Sequence, residues 1–227
     1  MKHELDRPAW AALTSRHAGL AEVRGGARRY RSGATFAATY DDAPEDVAAL
    51  AELIGPGEKA VFPQADTVVL PPGLTPVQQL EAVQMVGSAP FALIEDERVE
   101  PLGWADAEEM LALATLTRPG PFTARALELG RFWGVRQEGR IVAMAGERMA
   151  AEGYTELSGV CTHPDVRGQG LGRLMSAYVS GQIGARGDTP FLHCFATNVA
   201  AIQLYESIGF RVRTPMHVVV AERATSA

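Results

Sequence analysis

The 227-residue chain lacks any apolar run long enough to cross a bilayer. Its opening, MKHELDRPAWAALTSRH, carries charge throughout and has no apolar segment of signal-peptide length, so no export is expected. Two cysteines, Cys161 and Cys194, are too few for a disulfide framework or a complete zinc site, so no metal is expected. Positive charge is also short: 21 Lys and Arg against 27 Asp and Glu give a net charge of −6. That balance argues against a broad basic face for nucleic acid, though it leaves room for a local cationic pocket. It favours a cationic partner weakly, if at all. With no membrane or export signal, a cytoplasmic address is expected. What remains is a globular chain, 47% hydrophobic and 21% charged, long enough for one large domain or two small ones.

The first 95 residues alternate helical and extended patterns. Residues 44–55, PEDVAALAELIG, open with proline, carry acids in the first turn and stop at glycine, which predicts a helix. Residues 75–87, TPVQQLEAVQMVG, repeat that design with Thr75 as N-cap and Gly87 as stop, and predict a second helix. ATFAATYD, KAVFP and DTVVLPP read as short strands. These features predict a small α/β unit over residues 1–95, followed by a second domain over residues 96–227.

In the second part, VEPLGWADAEEMLALATL predicts a short strand and then a helix opened by Asp106. FWGVRQ and RIVAMAGERM predict a hairpin about Glu138-Gly139, and YTELSGVCTH a further strand. Leu171, Leu174, Met175, Tyr178 and Ile183 recur at helical spacing. PFLHCFATN is extended, VAAIQLYESIG helical with Gly209 as stop, and MHVVVAE a last strand.

Between strand and helix lies Arg167-Gly168-Gln169-Gly170-Leu171-Gly172. Unpaired N–H groups and the dipole at a helix start favour an anion, and glycines let the backbone approach it. An arginine at the mouth suits phosphate. The Gly-Lys-Ser/Thr end of a Walker loop is missing, and the glycine spacing is not that of a dinucleotide fingerprint. A plain flexible turn is the alternative.

Arg167, Gly170 and Gly172 match Arg/Gln-x-x-Gly-x-Gly/Ala, and Asn198, Ala201, Tyr205, Gly209 and Phe210 match Asn-x-x-Ala-x-x-x-Tyr-x-x-x-Gly-Phe. On these two motifs the chain resembles the GNAT superfamily of acyl-CoA-dependent N-acyltransferases, from about Val99 to Arg223. The resemblance does not clearly reach the first 95 residues. It implies an α/β fold, a mixed sheet flanked by helices and split near the cofactor, here preceded by the smaller N-terminal α/β unit. It also implies acetyl-CoA as co-substrate, with Arg167, Gly168, Gln169, Gly170, Leu171, Gly172 and Arg173 about its diphosphate.

Acetyl transfer from a thioester to an amine needs a held donor, a deprotonated amine, a stabilised carbonyl oxygen and a protonated leaving thiolate. Tyr205 shares a helix face with Ala201 and Asn198, and the resemblance implies that it is the acid; a packed core aromatic is the alternative. Asn198 is a candidate for hydrogen bonding the pantetheine arm, and also a good N-cap. The resemblance implies that Glu156, eleven positions before Arg167, is the candidate base, acting directly or through water; a water chain without it, or a solvated strand glutamate, is the alternative. The resemblance further implies that backbone groups of Val160, Cys161 and Thr162 pair with pantetheine in a splayed strand. Cys161 and Cys194 are expected to be buried spectators. His163, His217, Trp104, Phe132 and Trp133 are expected in surface or packing roles.

The expected function is N-acetylation of a small-molecule or peptide amine by direct attack on acetyl-CoA. Two alternatives are an acyl-CoA-binding sensor or scaffold on the same fold, and an interaction module with no affinity for CoA. Oligomeric state is left open.

Overall fold

The computed structural model describes residues 3–225. The chain begins with α1 (Pro8–Leu13) and β1 (Ala21–Arg24), β2 (Ala27–Tyr30) and β3 (Ala37–Thr39), then α2 (Pro44–Leu53). β4 (Lys59–Gln64), β5 (Leu74–Gly87) and β6 (Val99–Leu102) lead into α3 (Ala107–Thr117). The remainder is β7 (Phe132–Gln137), β8 (Arg140–Ala151), β9 (Tyr154–Thr162), α4 (Leu171–Gly184), β10 (Thr189–Phe195), α5 (Val199–Ser207) and β11 (Phe210–Arg223).

β1, β2 and β3 make a small antiparallel sheet. The large sheet has eight strands in the order β4-β11-β5-β10-β9-β8-β7-β6. Its neighbours are antiparallel except β9 and β10, which run parallel. The sheet runs through the expected domain division near residue 95. β4 and β5 precede that point, yet β5 lies between β11 and β10, deep in the sheet. The small unit joins the large sheet where Val61 N donates to Thr35 O at 2.9 Å.

Two local expectations are corrected. Residues 75–87 are not a helix but most of β5, which pairs with β10 on one edge and β11 on the other. Helix-forming residue types were overridden by tertiary pairing. DTVVLPP lies outside any strand, in the irregular link between β4 and β5.

Elsewhere local chemistry and fold agree. Glu138 and Gly139 both take positive φ, 51° and 80°, as a two-residue hairpin turn requires. Along α4, Leu171, Met175, Val179 and Ile183 are buried at i, i+4 spacing against the sheet. Met110, Leu113 and Ala114 of α3 pack with Met144 and Cys161. Ala143 and Ala145 instead join the cluster under α4, so the two helices cover alternate faces of β8. Arg136 fixes α3 by donating to Asp106 Oδ1 at 2.5 Å and Glu109 Oε2 at 2.7 Å. No helix among the described residues is long and apolar enough to cross a membrane.

Candidate active site

β9 and β10 pair at Tyr154↔Thr189, Thr155↔Pro190 and Glu156↔Phe191, and then part. β9 continues to Thr162 and β10 to Phe195 on diverging courses. On β9 the register against β8 slips between Ser158 and Cys161, inserting one extra residue. Gly159 sits in that bulge at φ 64°, and a Cβ there would stand 2.9 Å from the Phe132 ring. Glycine is therefore required both by conformation and by space, and the bulge re-aims the end of the strand.

A cavity of about 330 Å³ opens at the gap. Val160, Cys161 and Thr162 line it from one arm, and His193, Cys194 and Phe195 from the other. His193 and Cys194 are adjacent on a strand and so point to opposite faces, which means the cavity passes through the sheet at the split. Arg167 and Gly172 border it at the start of α4, and Asn198, Ala201 and Tyr205 from α5. Residues from both sequence motifs thus meet at one opening.

The glycine loop forms an uncapped helix start. Gly170 is the N-cap of α4 at φ 76°, with no side chain accepting from the first-turn N–H groups. Gly168 has φ 80°, and a Cβ on either glycine would meet nothing within 4 Å. Left-handed backbone, rather than crowding, calls for glycine at both. Open N–H donors with Arg167 exposed beside them suit a diphosphate. Gly168, Gln169, Gly170, Leu171 and Arg173 do not line the cavity. Leu171 is buried in the core, and Arg173 ties α4 to the end of α5 by donating to Ser207 Oγ at 2.5 Å. Gln169 accepts from Gln137 at 3.3 Å. Any contact of Leu171 with a ligand is thereby left to its backbone.

Tyr205 packs edge-on against Phe210 at 6.0 Å and borders the cavity. Burial, with a contribution from Cys194, pushes its phenol above the usual range, so it keeps its proton. Asn198 is the N-cap of α5, its Oδ1 accepting from Ala201 N at 3.2 Å. That leaves the amide nitrogen for a ligand, so capping and binding are compatible. Burial raises the Cys161 thiol to about 11 and the Cys194 thiol in the same direction, as suits unreactive core groups. Phe132 and Trp133 are core residues, whereas Trp104 is exposed. His163 accepts from Asp165 N at 3.3 Å, and His217 Nδ1 lies 3.2 Å from Glu81 at the surface.

Glu156 departs from expectation. It is fully buried and does not line the cavity. Its carboxylate accepts from Arg148 Nε at 2.8 Å and Nη2 at 2.6 Å, and lies 2.7 Å from His193 Nδ1. Burial alone would raise its pKa, but the charge of Arg148 and the hydrogen bonds from Arg148 and His193 hold it at about 2. A carboxylate so tightly satisfied is a poor base. It sits at the centre of a buried polar chain. Gln84 Nε2 donates to Leu5 O at 2.8 Å and lies 3.0 Å from His193 Nε2. Arg213 holds Gln84 Oε1 at 2.5 Å and Asp6 at 2.7 Å. With the Gln84 amide donating to Nε2, the His193 proton sits on Nδ1, toward Glu156.

Sequence reasoning missed Arg118, Arg148 and the wall formed by Phe36, Val61 and Pro63. No motif marks them, and Phe36, Val61 and Pro63 come from the first 95 residues.

Residues 132–219 match the FR47-like protein family. Over 79 residues the chain is 37% identical to the [Ribosomal protein bS18]-alanine N-acetyltransferase of Escherichia coli strain K12. That match spans 34% of this chain and 53% of that enzyme. A crystallised protein from Novosphingobium aromaticivorans DSM 12444, assigned to the GNAT family as an acetyltransferase, superposes with a TM-score of 0.92. The two are 38% identical, over 99% of this chain and 100% of the other. The chain belongs to the GNAT family. The kinship with that relative takes in the first 95 residues as well, beyond the reach of the two motifs. A GCN5-related N-acetyltransferase from Kribbella flavida shares the GNAT fold at a TM-score of 0.61 and 19% identity, covering 96% of each chain.

Proposed function

We propose that this GNAT protein transfers an acetyl group from acetyl-CoA to an amine of a small molecule or peptide by direct attack. The observation that carries this reading is the meeting of the strand split, the uncapped glycine loop and Tyr205 at one cavity. Arg167 and the N–H groups opening α4 hold the diphosphate. The edge of β9 that β10 leaves open, between Val160 and Thr162, pairs with the pantetheine arm, and an N–H there stabilises the carbonyl oxygen. Asn198 adds its amide nitrogen to the same arm. The amine nitrogen bonds to the carbonyl carbon, the C–S bond breaks, and Tyr205 gives its proton to the departing sulfur. Tyr205 is reprotonated through solvent with the proton released from nitrogen, since among the described residues no carboxylate lines the cavity to act as base.

The first test is calorimetry with acetyl-CoA on wild type and Arg167→Ala. Micromolar binding weakened at least tenfold by the substitution supports the assignment. Absence of binding to acetyl-CoA or any longer acyl-CoA sinks it.

A further inference from the structure

The charge of the cavity is opposite in sign to that of the chain. Arg118, Arg148 and Arg167 line it together with His193, and among the described residues no Asp or Glu does. Arg167 lies on the α4 side, with the donor. Arg118 and Arg148 are available to the other substrate.

Arg148 spends only part of its guanidinium on Glu156. Nε and Nη2 are engaged, while Nη1 has no acceptor among the described residues. The group is stacked over Phe36, 4.8 Å from the ring centroid, so its direction is set from both sides. Arg118 takes φ 53° as the residue after α3 and stands before Pro119. Its N–H donates to Ala114 O at 2.7 Å, so the left-handed residue closes α3 and fixes where the side chain starts. Pro119 and Pro121 stiffen the turn that carries it. Its side chain makes no ion pair or hydrogen bond with the described residues. Around these two cations the lining is apolar, with Val61, Pro63, Ala82 and Val218.

We propose that the acceptor is a small amine that also carries a carboxylate, which Arg118 and the free Nη1 of Arg148 bind while the amine faces the strand split. The inference rests on the acetyl-transfer reading and narrows its substrate class. Arg118, which has no partner among the described residues, together with the open Nη1 of the Glu156-paired Arg148, favours an anion and disfavours a polyamine. The cavity also lies at the small end of ligand sites, which span about 300–1,000 Å³.

The test measures thiol release from acetyl-CoA with matched acceptors. The L-α-amino acids, β-alanine and γ-aminobutyrate are each compared with their carboxamides, beside spermidine and a peptide beginning with alanine. The expected result is at least a tenfold preference in kcat/KM for a carboxylate over its carboxamide. In Arg118→Gln that preference shrinks through a raised acceptor KM, with the KM for acetyl-CoA held. Arg148→Lys, which keeps the charge beside Glu156, loses part of the same preference. Three outcomes overturn the proposal and leave acetyl transfer standing: spermidine, the peptide or a carboxamide used as well as any carboxylate; turnover of no carboxylate amine by a chain that binds acetyl-CoA; or Arg118→Gln raising only the acetyl-CoA KM. Failure to bind acetyl-CoA at all sinks both readings together.

Discussion

Arg148 grips Glu156 through two parallel hydrogen bonds, at 2.8 and 2.6 Å, across a bulge where β8 has one residue more than β9. The pair stands behind the cavity wall, with Arg148 facing the cavity and Glu156 wholly enclosed. This is an ion pair that holds an arginine in place, and it makes Glu156 a positioning residue. Glu156→Gln is expected to leave the pH profile of kcat unchanged in shape, because no titrating base has been removed. Breaking a buried pair costs about 3–5 kcal/mol, so the same variant should melt well below wild type. A rate that loses its acidic limb in Glu156→Gln would restore the carboxylate as base.

Stability should fall in acid in two stages. Burial, aided by Arg16, lowers the His17 pKa from 6.5 to about 4, so between those values the unfolded chain takes up a proton that the fold refuses. Glu156 is held at about 2 against an ordinary 4.5, so its contribution is complete above 4.5 and lost as pH falls through about 2. Both groups bind more protons unfolded than folded, so both make stability drop as pH drops. Urea midpoints measured from pH 7 to 2 should show this, and His17→Gln should flatten the first stage alone. A midpoint independent of pH between 6.5 and 4 in wild type would contradict the burial of His17 as the neutral form.

Gly172 separates a ligand role from a structural one. It lies within α4 without positive φ, and an added Cβ would meet only Thr162 Oγ1, at an ordinary 3.6 Å. Alanine in a helix is favoured over glycine by about 1 kcal/mol, so Gly172→Ala should be as stable as wild type or slightly more so. Yet the methyl would stand at the cavity edge, where the backbone must approach the donor. Calorimetry should give a weaker Kd for acetyl-CoA in a protein with an undiminished melting temperature. Unchanged affinity would remove Gly172 from the binding surface.

Those glycines were legible in the sequence because their spacing, and the companion Asn198-to-Phe210 pattern, sit on elements whose local signals are unambiguous. α4 shows its buried stripe and α5 its cap, and the hairpin its Glu138-Gly139 turn. β5 was hidden for the opposite reason. Thr75, Pro76 and Gly87 imitate helix punctuation, and only pairing with β10 and β11, far along the chain, makes the segment a strand. With the two motifs confined to the later part of the chain and β5 taken for a helix, the contribution of Phe36, Val61 and Pro63 to the cavity was out of reach. Glu156 was expected on the strand before the glycine loop, where it lies in β9, but its burial and its neighbours were not legible. Its partner Arg148 lies eight residues upstream across a bulged ladder, a register no spacing rule reports.

Tyr205 offers the sharpest test of the chemistry. Its hydroxyl makes no hydrogen bond to another described residue, and its ring is held by Phe210 and by burial among the core residues near α5. Tyr205→Phe therefore keeps the packing and removes one proton donor at the cavity. The melting temperature should stay close to that of wild type, and so should the Kd for acetyl-CoA. Removing a positioned acid costs about 10²–10⁴-fold in rate, so kcat should fall by at least the lower figure, with most of the loss restored when the donor carries a better leaving thiol than CoA. Rescue by such a thioester is the readout that a merely structural tyrosine would not give. A Phe variant with full turnover on acetyl-CoA would mean that solvent alone protonates the leaving sulfur, and Tyr205 would then be only one side of the cavity wall.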